Sequence, residues 1–189
     1  MKKLLTEFIG SFFLVLGVNL CALSDLGSFA ALGYGAMLMV MVYAGGHVSG
    51  GHYNPAVTLA VFLRGKCAAS DVPGYIFSQF LGAAIAGLLA SGFLMQKTGQ
   101  GMDLTVHVAQ ALVAEMLGTF ALCWVVLHVS TSKDTVGNSF YGMAIGLCYT
   151  ACALAFGEIS GAAFNPAIGF SFGISQISGF NNLWIYIVG

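Results

Sequence analysis

Five stretches of this chain, residues 4–23, 28–46, 72–95, 106–129 and 139–156, run for 18 to 24 residues with at most one Asp, Glu, Lys or Arg each. No other feature limits the possible folds as much. A helix crosses the roughly 30 Å hydrocarbon core of a bilayer in about 20 residues. Within lipid the backbone must satisfy its own hydrogen bonds, which leaves helices or closed barrels. Barrel strands are shorter and alternate apolar with polar residues, and these runs do neither. Charged residues make up 7% of the 189 and hydrophobic ones 58%, whereas a soluble domain is about 25% charged. An all-α membrane protein is expected. The net charge of −1 gives no footprint for nucleic acid.

The first run follows Lys2 and Lys3, as the core of a signal peptide would. Glu7 interrupts it and no small-residue cleavage site follows, so an uncleaved span is expected. The five cysteines (Cys21, Cys67, Cys123, Cys148, Cys152) are odd in number and four lie in or beside apolar runs, unlike a disulfide framework. Cys148 and Cys152 are one helical turn apart, a spacing open to redox or metal chemistry. Their apolar surroundings fit small buried side chains better. No metal or cofactor is expected.

The chain repeats itself. "LLTEFIGSFFLVL" at residues 4–16 resembles "LVAEMLGTFALCW" at 112–124, with Glu7 and Glu115 108 positions apart. "SGGHYNPAVT" resembles "SGAAFNPA", with Asn54 and Asn165 111 apart. Each half, residues 1–103 and 104–189, orders two spans, a glycine-containing segment, Asn-Pro-Ala and a short apolar stretch. Three spans per half make the halves enter the membrane from opposite sides. Such inverted repeats place their site at the midplane.

Asparagine suits a helix N-cap and proline the first turn after it. Each of Asn54-Pro55-Ala56 and Asn165-Pro166-Ala167 therefore begins a helix. About ten residues separate Asn54 from Arg64, too few to cross, so each is a re-entrant half-helix. Inverted symmetry points their N-termini at each other, each with about half a positive charge. The segments before them, 47–53 and 158–164, are expected as extended backbone. Polar backbone at that depth is tolerated where it lines a water-filled path. Together these features describe a narrow pore for neutral molecules.

Charge orients the chain. If the segment around Asn54 re-enters without crossing, Lys2, Lys3, Arg64, Lys66 and Lys133 fall on the side of the N-terminus and Lys97 on the other. The positive-inside rule puts that N-terminus in the cytoplasm.

On the paired Asn-Pro-Ala motifs, the two Glu-containing openings and the symmetry of the halves, the chain resembles the aquaporin/aquaglyceroporin (major intrinsic protein) family over essentially its whole length. The resemblance implies a passive channel for water or small uncharged solutes such as glycerol, urea or ammonia. It also implies a homotetramer in a lipid bilayer, and the short N-terminus fits a bacterial inner membrane. It places a selectivity filter at Tyr34, Ala153, Ala162 and Ile168. The sequence departs from the family here, since arginine usually follows the second motif and this chain has Ile168. Water-selective members also commonly carry histidine where Ala153 stands. A wider, more apolar ring with one hydroxyl is expected, unless Ile168 packs away and another residue completes the filter.

In the family, glutamates such as Glu7 and Glu115 brace the re-entrant loops by accepting from backbone N–H groups. A proton relay is the alternative for such buried carboxylates. His47 is expected to anchor its loop, with a pH gate as the alternative. Glu158 is its counterpart, near the outer mouth. His52, His107 and His128 read as ordinary loop or span-end residues.

Eighteen residues after Asn54 comes Val72, and eighteen after Asn165 comes Leu183, where a last span should begin. Seven residues remain to Gly189, so a shortened last span is expected, and with it the possibility of a non-conducting fragment. An ion-coupled transporter is a further alternative, because inverted repeats with broken helices also build those. An enzyme is not expected, since no nucleophile–base pair lies near the motifs.

Overall fold

A computed structural model describes all residues except 103, 105 and 106. Five helices of 20 to 24 residues are long and apolar enough to cross a membrane. They are α1 (Lys2–Leu23), α2 (Ala30–Ser49, preceded by a 3₁₀ turn), α4 (Val72–Leu88, prolonged by a π turn to Leu94), α5 (Val108–Thr131) and α6 (Tyr141–Ser160). Between them lie two nine-residue helices, α3 (Pro55–Leu63) and α7 (Pro166–Ile174), and α8 (Leu183–Val188) follows. The expected spans match these helices to within about four residues, and α8 begins at the expected Leu183. The expected start of the fourth span, Val106, lies outside the described residues.

The halves are related as an inverted repeat. Helices α1 and α4 pack together, and so do α5 and α8, while α2 and α6 form the seam between halves. That seam is close because Gly35 and Gly146 face each other. A Cβ on either would strike the other's carbonyl oxygen. They are 111 positions apart, so the seam lies on the pseudo-twofold axis. Where each re-entrant segment meets a long helix, another glycine gives way to an aromatic ring. A Cβ at Gly10 would fall in the Tyr53 ring, and one at Gly118 in the Phe164 ring.

The segments expected as extended over 47–53 and 158–164 are shorter than that. Helix α2 continues to Ser49 and α6 to Ser160, each closed by a left-handed glycine, Gly50 (φ 96°) and Gly161 (φ 88°). Such a glycine ends a helix without the penalty a Cβ brings. The non-helical backbone is thus four residues before each Asn, and His47 and Glu158 sit on exposed last turns.

Charged groups divide between the two ends. Lys3 pairs with Asp71 at 2.9 Å at the N-terminal end, and Lys97 lies 3.7 Å from Asp25 at the other. Lys66 lines a cavity at the N-terminal end together with Ser132, next to Lys133.

Candidate pore

Both half-helices begin as the Asn-Pro pattern dictates. Asn54 Oδ1 accepts from the N–H of Ala56 at 2.8 Å, and Asn165 Oδ1 from that of Ala167 at 2.9 Å. With the oxygens committed to capping, the amide nitrogens are free to donate across the axis. Asn54 Nδ2 donates to the Phe164 carbonyl at 2.8 Å, and Asn165 Nδ2 to the Tyr53 carbonyl at 2.9 Å. Each carboxamide spends one N–H on the opposite segment and keeps a second. Pro55, Ala56, Pro166 and Ala167 form the first turns of α3 and α7.

Two buried carboxylates hold the segments. Glu7 and Glu115 are 0% exposed. Glu7 accepts from the N–H groups of His52 (3.0 Å) and Tyr53 (2.8 Å), from Ser49 Oγ (2.6 Å) and from Gln79 Nε2 (2.8 Å). Glu115 accepts from the N–H groups of Ala163 (3.1 Å) and Phe164 (2.7 Å) and from Ser160 Oγ. Tyr75 and Tyr186 donate to the Ser49 and Ser160 carbonyls at 2.6 and 2.8 Å. A buried carboxylate needs such donors to offset its lost hydration. His47, expected in a similar role, makes no hydrogen bond to its segment among the described residues. It sits exposed beside Tyr141, and Ser49, two residues on, occupies the bracing position instead.

A central cavity touches both asparagines. It holds about 10 Å³ of room for water centres, enough for about one water molecule. Above it lies an outer vestibule of about 390 Å³ that Tyr34, Ala153, Asp25 and Glu158 help to line. Below it, at the N-terminal end, lies an inner one of about 340 Å³ that shares His52 and Val126 with the central cavity. The profile is an hourglass.

Much of the central wall is built of pairs related by the repeat. Leu14 and Leu122, Val57 and Ile168, and Asn54 and Asn165 all line it. Two further pairs differ in chemistry, Leu38 with Tyr149 and His52 with Ala163, and Val42, Gly51, Val126 and Ile145 line the wall without their counterparts. The four expected filter positions do not share one cavity. Tyr34 and Ala153 line the outer vestibule, whereas Ile168 lines the central cavity together with Val57. Ala162 lines neither. Its carbonyl accepts from the Tyr149 hydroxyl at 3.1 Å.

His52 differs from the loop residue expected there. It is 7% exposed and its Nδ1 lies 3.2 Å from Thr58 Oγ1. That hydroxyl donates to the Asn54 carbonyl at 2.9 Å and accepts from Gln79 Nε2 at 2.9 Å. With the hydroxyl proton used, His52 Nδ1 is the donor and Nε2 an acceptor. Sequence reasoning missed Tyr149, Gln79 and Ser49 as well. Laying the halves over each other at 111 positions would have exposed Tyr149 as the polar partner of Leu38.

Known proteins share this arrangement. The family profile described as Major intrinsic protein matches residues 1–189. Aquaporin NIP1-1 of Zea mays is 36% identical over 202 residues, covering all of this chain and 69% of the maize protein. Glycerol uptake facilitator protein-like 6 of Lactiplantibacillus plantarum is 32% identical, covering all of this chain and 91% of its own length. The fold superposes on the X-ray structure of the aquaglyceroporin from Plasmodium falciparum with a TM-score of 0.81 at 22% identity, over 99% of this chain and 89% of that one. Five membrane-length helices, two opposed half-helices capped by Asn-Pro-Ala and a profile match from end to end lead to one conclusion: the chain is an integral membrane protein and belongs to the major intrinsic protein family of water and small-solute channels.

Proposed function

We propose that this chain is a passive pore for water and small uncharged solutes that turns ions away at its centre. The observation that carries the reading is the meeting of two capped helix N-termini at a cavity with room for about one water. Each terminus contributes about half a positive charge, and the surrounding low dielectric strengthens that field. A cation arriving there meets two positive ends and amide donors. A water oxygen meets the same donors and is bound by them. Glu7 and Glu115 are not pore ligands, because their oxygens are taken by backbone N–H groups and serine hydroxyls.

A coupled transporter needs cation-coordinating groups at the midplane. Among the described residues, those lining the central cavity include no Asp, Glu, Lys or Arg, which favours the passive pore. The side holding Lys2, Lys3, Arg64, Lys66 and Lys133 is assigned to the cytoplasm, in a bacterial plasma membrane, with the protein as a homotetramer in the bilayer.

Stopped-flow light scattering on proteoliposomes tests the reading. Water flux should exceed that of empty vesicles while a pH-sensitive dye inside reports no added proton leak. Asn165→Asp places a carboxylate at the meeting point and removes the donor to the Tyr53 carbonyl. It should cut water flux or admit cations. Unchanged flux and unchanged ion exclusion in this variant would refute the central barrier.

A further inference from the structure

We infer that Tyr149, outside the four expected filter positions, is the residue that sets which neutral solutes pass. The inference rests on the channel reading above and deepens it.

Tyr149 projects from α6 and is 1% exposed, among the largest fully buried side chains of the protein. Its ring centre lies 5.9 Å from that of Tyr34 and 6.0 Å from that of Phe164. Tyr34 belongs to the outer vestibule and Tyr149 to the central cavity. The aromatic pair therefore stands between the roomy vestibule, about 390 Å³, and the small central cavity, about 10 Å³. Gly35, next to Tyr34, and Gly146, one turn before Tyr149, bring the two helices close enough for the rings to meet. The repeat supplies the comparison: the counterpart of Tyr149 is Leu38, a smaller side chain in the same cavity.

The hydroxyl matters separately from the ring. By donating to the Ala162 carbonyl at 3.1 Å, it anchors the ring in one position. A polyol entering from the vestibule thus meets a fixed ring that blocks its carbon backbone. Water needs neither the width nor a row of acceptors, since Asn54 and Asn165 still offer N–H donors. The substrate class that follows is water-sized neutral molecules, with glycerol-sized polyols held back. Tyr149 supplies the bulk and the polar group that Ile168 does not.

The test compares water and glycerol permeability of wild type, Tyr149→Leu and Tyr149→Phe in proteoliposomes, with circular dichroism confirming helix content. Tyr149→Leu copies the other half of the repeat. It should raise the glycerol-to-water ratio about tenfold, the scale on which pocket volume discriminates. Tyr149→Phe keeps the ring and loses only its anchor on the Ala162 carbonyl, so its ratio should rise by less. A glycerol-to-water ratio in folded Tyr149→Leu equal to that of wild type overturns the inference and leaves the channel reading intact. Wild type at empty-vesicle rates with a conducting Tyr149→Leu supports Tyr149 as the constriction. Folded protein that conducts in neither form overturns the channel reading, and this inference with it.

Discussion

Glu7 and Glu115 show how few atoms hold a re-entrant segment. Each carboxylate receives two consecutive backbone N–H groups and a serine hydroxyl. Replacing either with Gln turns one acceptor oxygen into a donor. Ser49, Ser160 and Gln79 can reorient to accept, since Gln79 Oε1 has no partner at present. The backbone N–H groups cannot reorient. At least one is orphaned in each variant, so Glu7→Gln and Glu115→Gln should each cost about 1–3 kcal/mol. Thermal unfolding in detergent would show it as a lowered Tm. A Tm equal to wild type would mean that the carboxylates do not hold the segments. The sequence marks these glutamates because ionisable groups inside apolar runs stand out. It hides Ser49 and Tyr149, because one serine or tyrosine in a helix reads the same whether it faces lipid or a cavity.

The half-helices look alike in sequence yet are held differently. On α7, Asn19 reaches across from α1 and grips two residues one turn apart. Its Nδ2 donates to Ser171 Oγ at 2.9 Å, and its Oδ1 accepts from Ser175 Oγ at 2.6 Å. Ser171 in turn donates to the Ile168 carbonyl at 2.7 Å. The counterpart of Asn19 in the other half is Leu127, and α3 is instead tied through Thr58 to Gln79. Asn19→Leu keeps the branched shape, with bulkier methyl groups, and removes the grip. Both serines retain carbonyl acceptors, Ile168 and Gly87, so the loss should stay near 1 kcal/mol. Differential scanning calorimetry reads it, and a loss above about 3 kcal/mol would point to packing strain instead. Element boundaries were legible where capping chemistry was explicit, as at Asn54 and Asn165, and where the repeat set the offset, as at Leu183. They were misjudged at Ser49 and Ser160, because a glycine-rich stretch reads as loop although the helix runs on to its last possible residue before the left-handed turn.

At the scale of the molecule, composition alone gives the solvent, and the spacing of two tripeptides gives the inverted architecture. What sequence could not give was the bore of the pore. Bore depends on which side chains from six elements converge, and Ile168 and Tyr34, expected in one ring, lie in different cavities. The seam at Gly35 and Gly146 carries a consequence of its own. A contact in which a residue meets its own counterpart across a twofold axis is the geometry of an isologous dimer. Here both partners lie on one chain. The two positions therefore behave energetically as a single site. Alanine at either should force α2 and α6 apart at a cost of about 1–3 kcal/mol. Once apart, the second alanine has little left to displace. A double-mutant cycle should fall short of additivity by at least about 0.5 kcal/mol, and strict additivity would show that the helices yield locally rather than separate. The pore wall then inherits a constraint: neither half can adjust its share of the seam without moving the aromatic pair beside it.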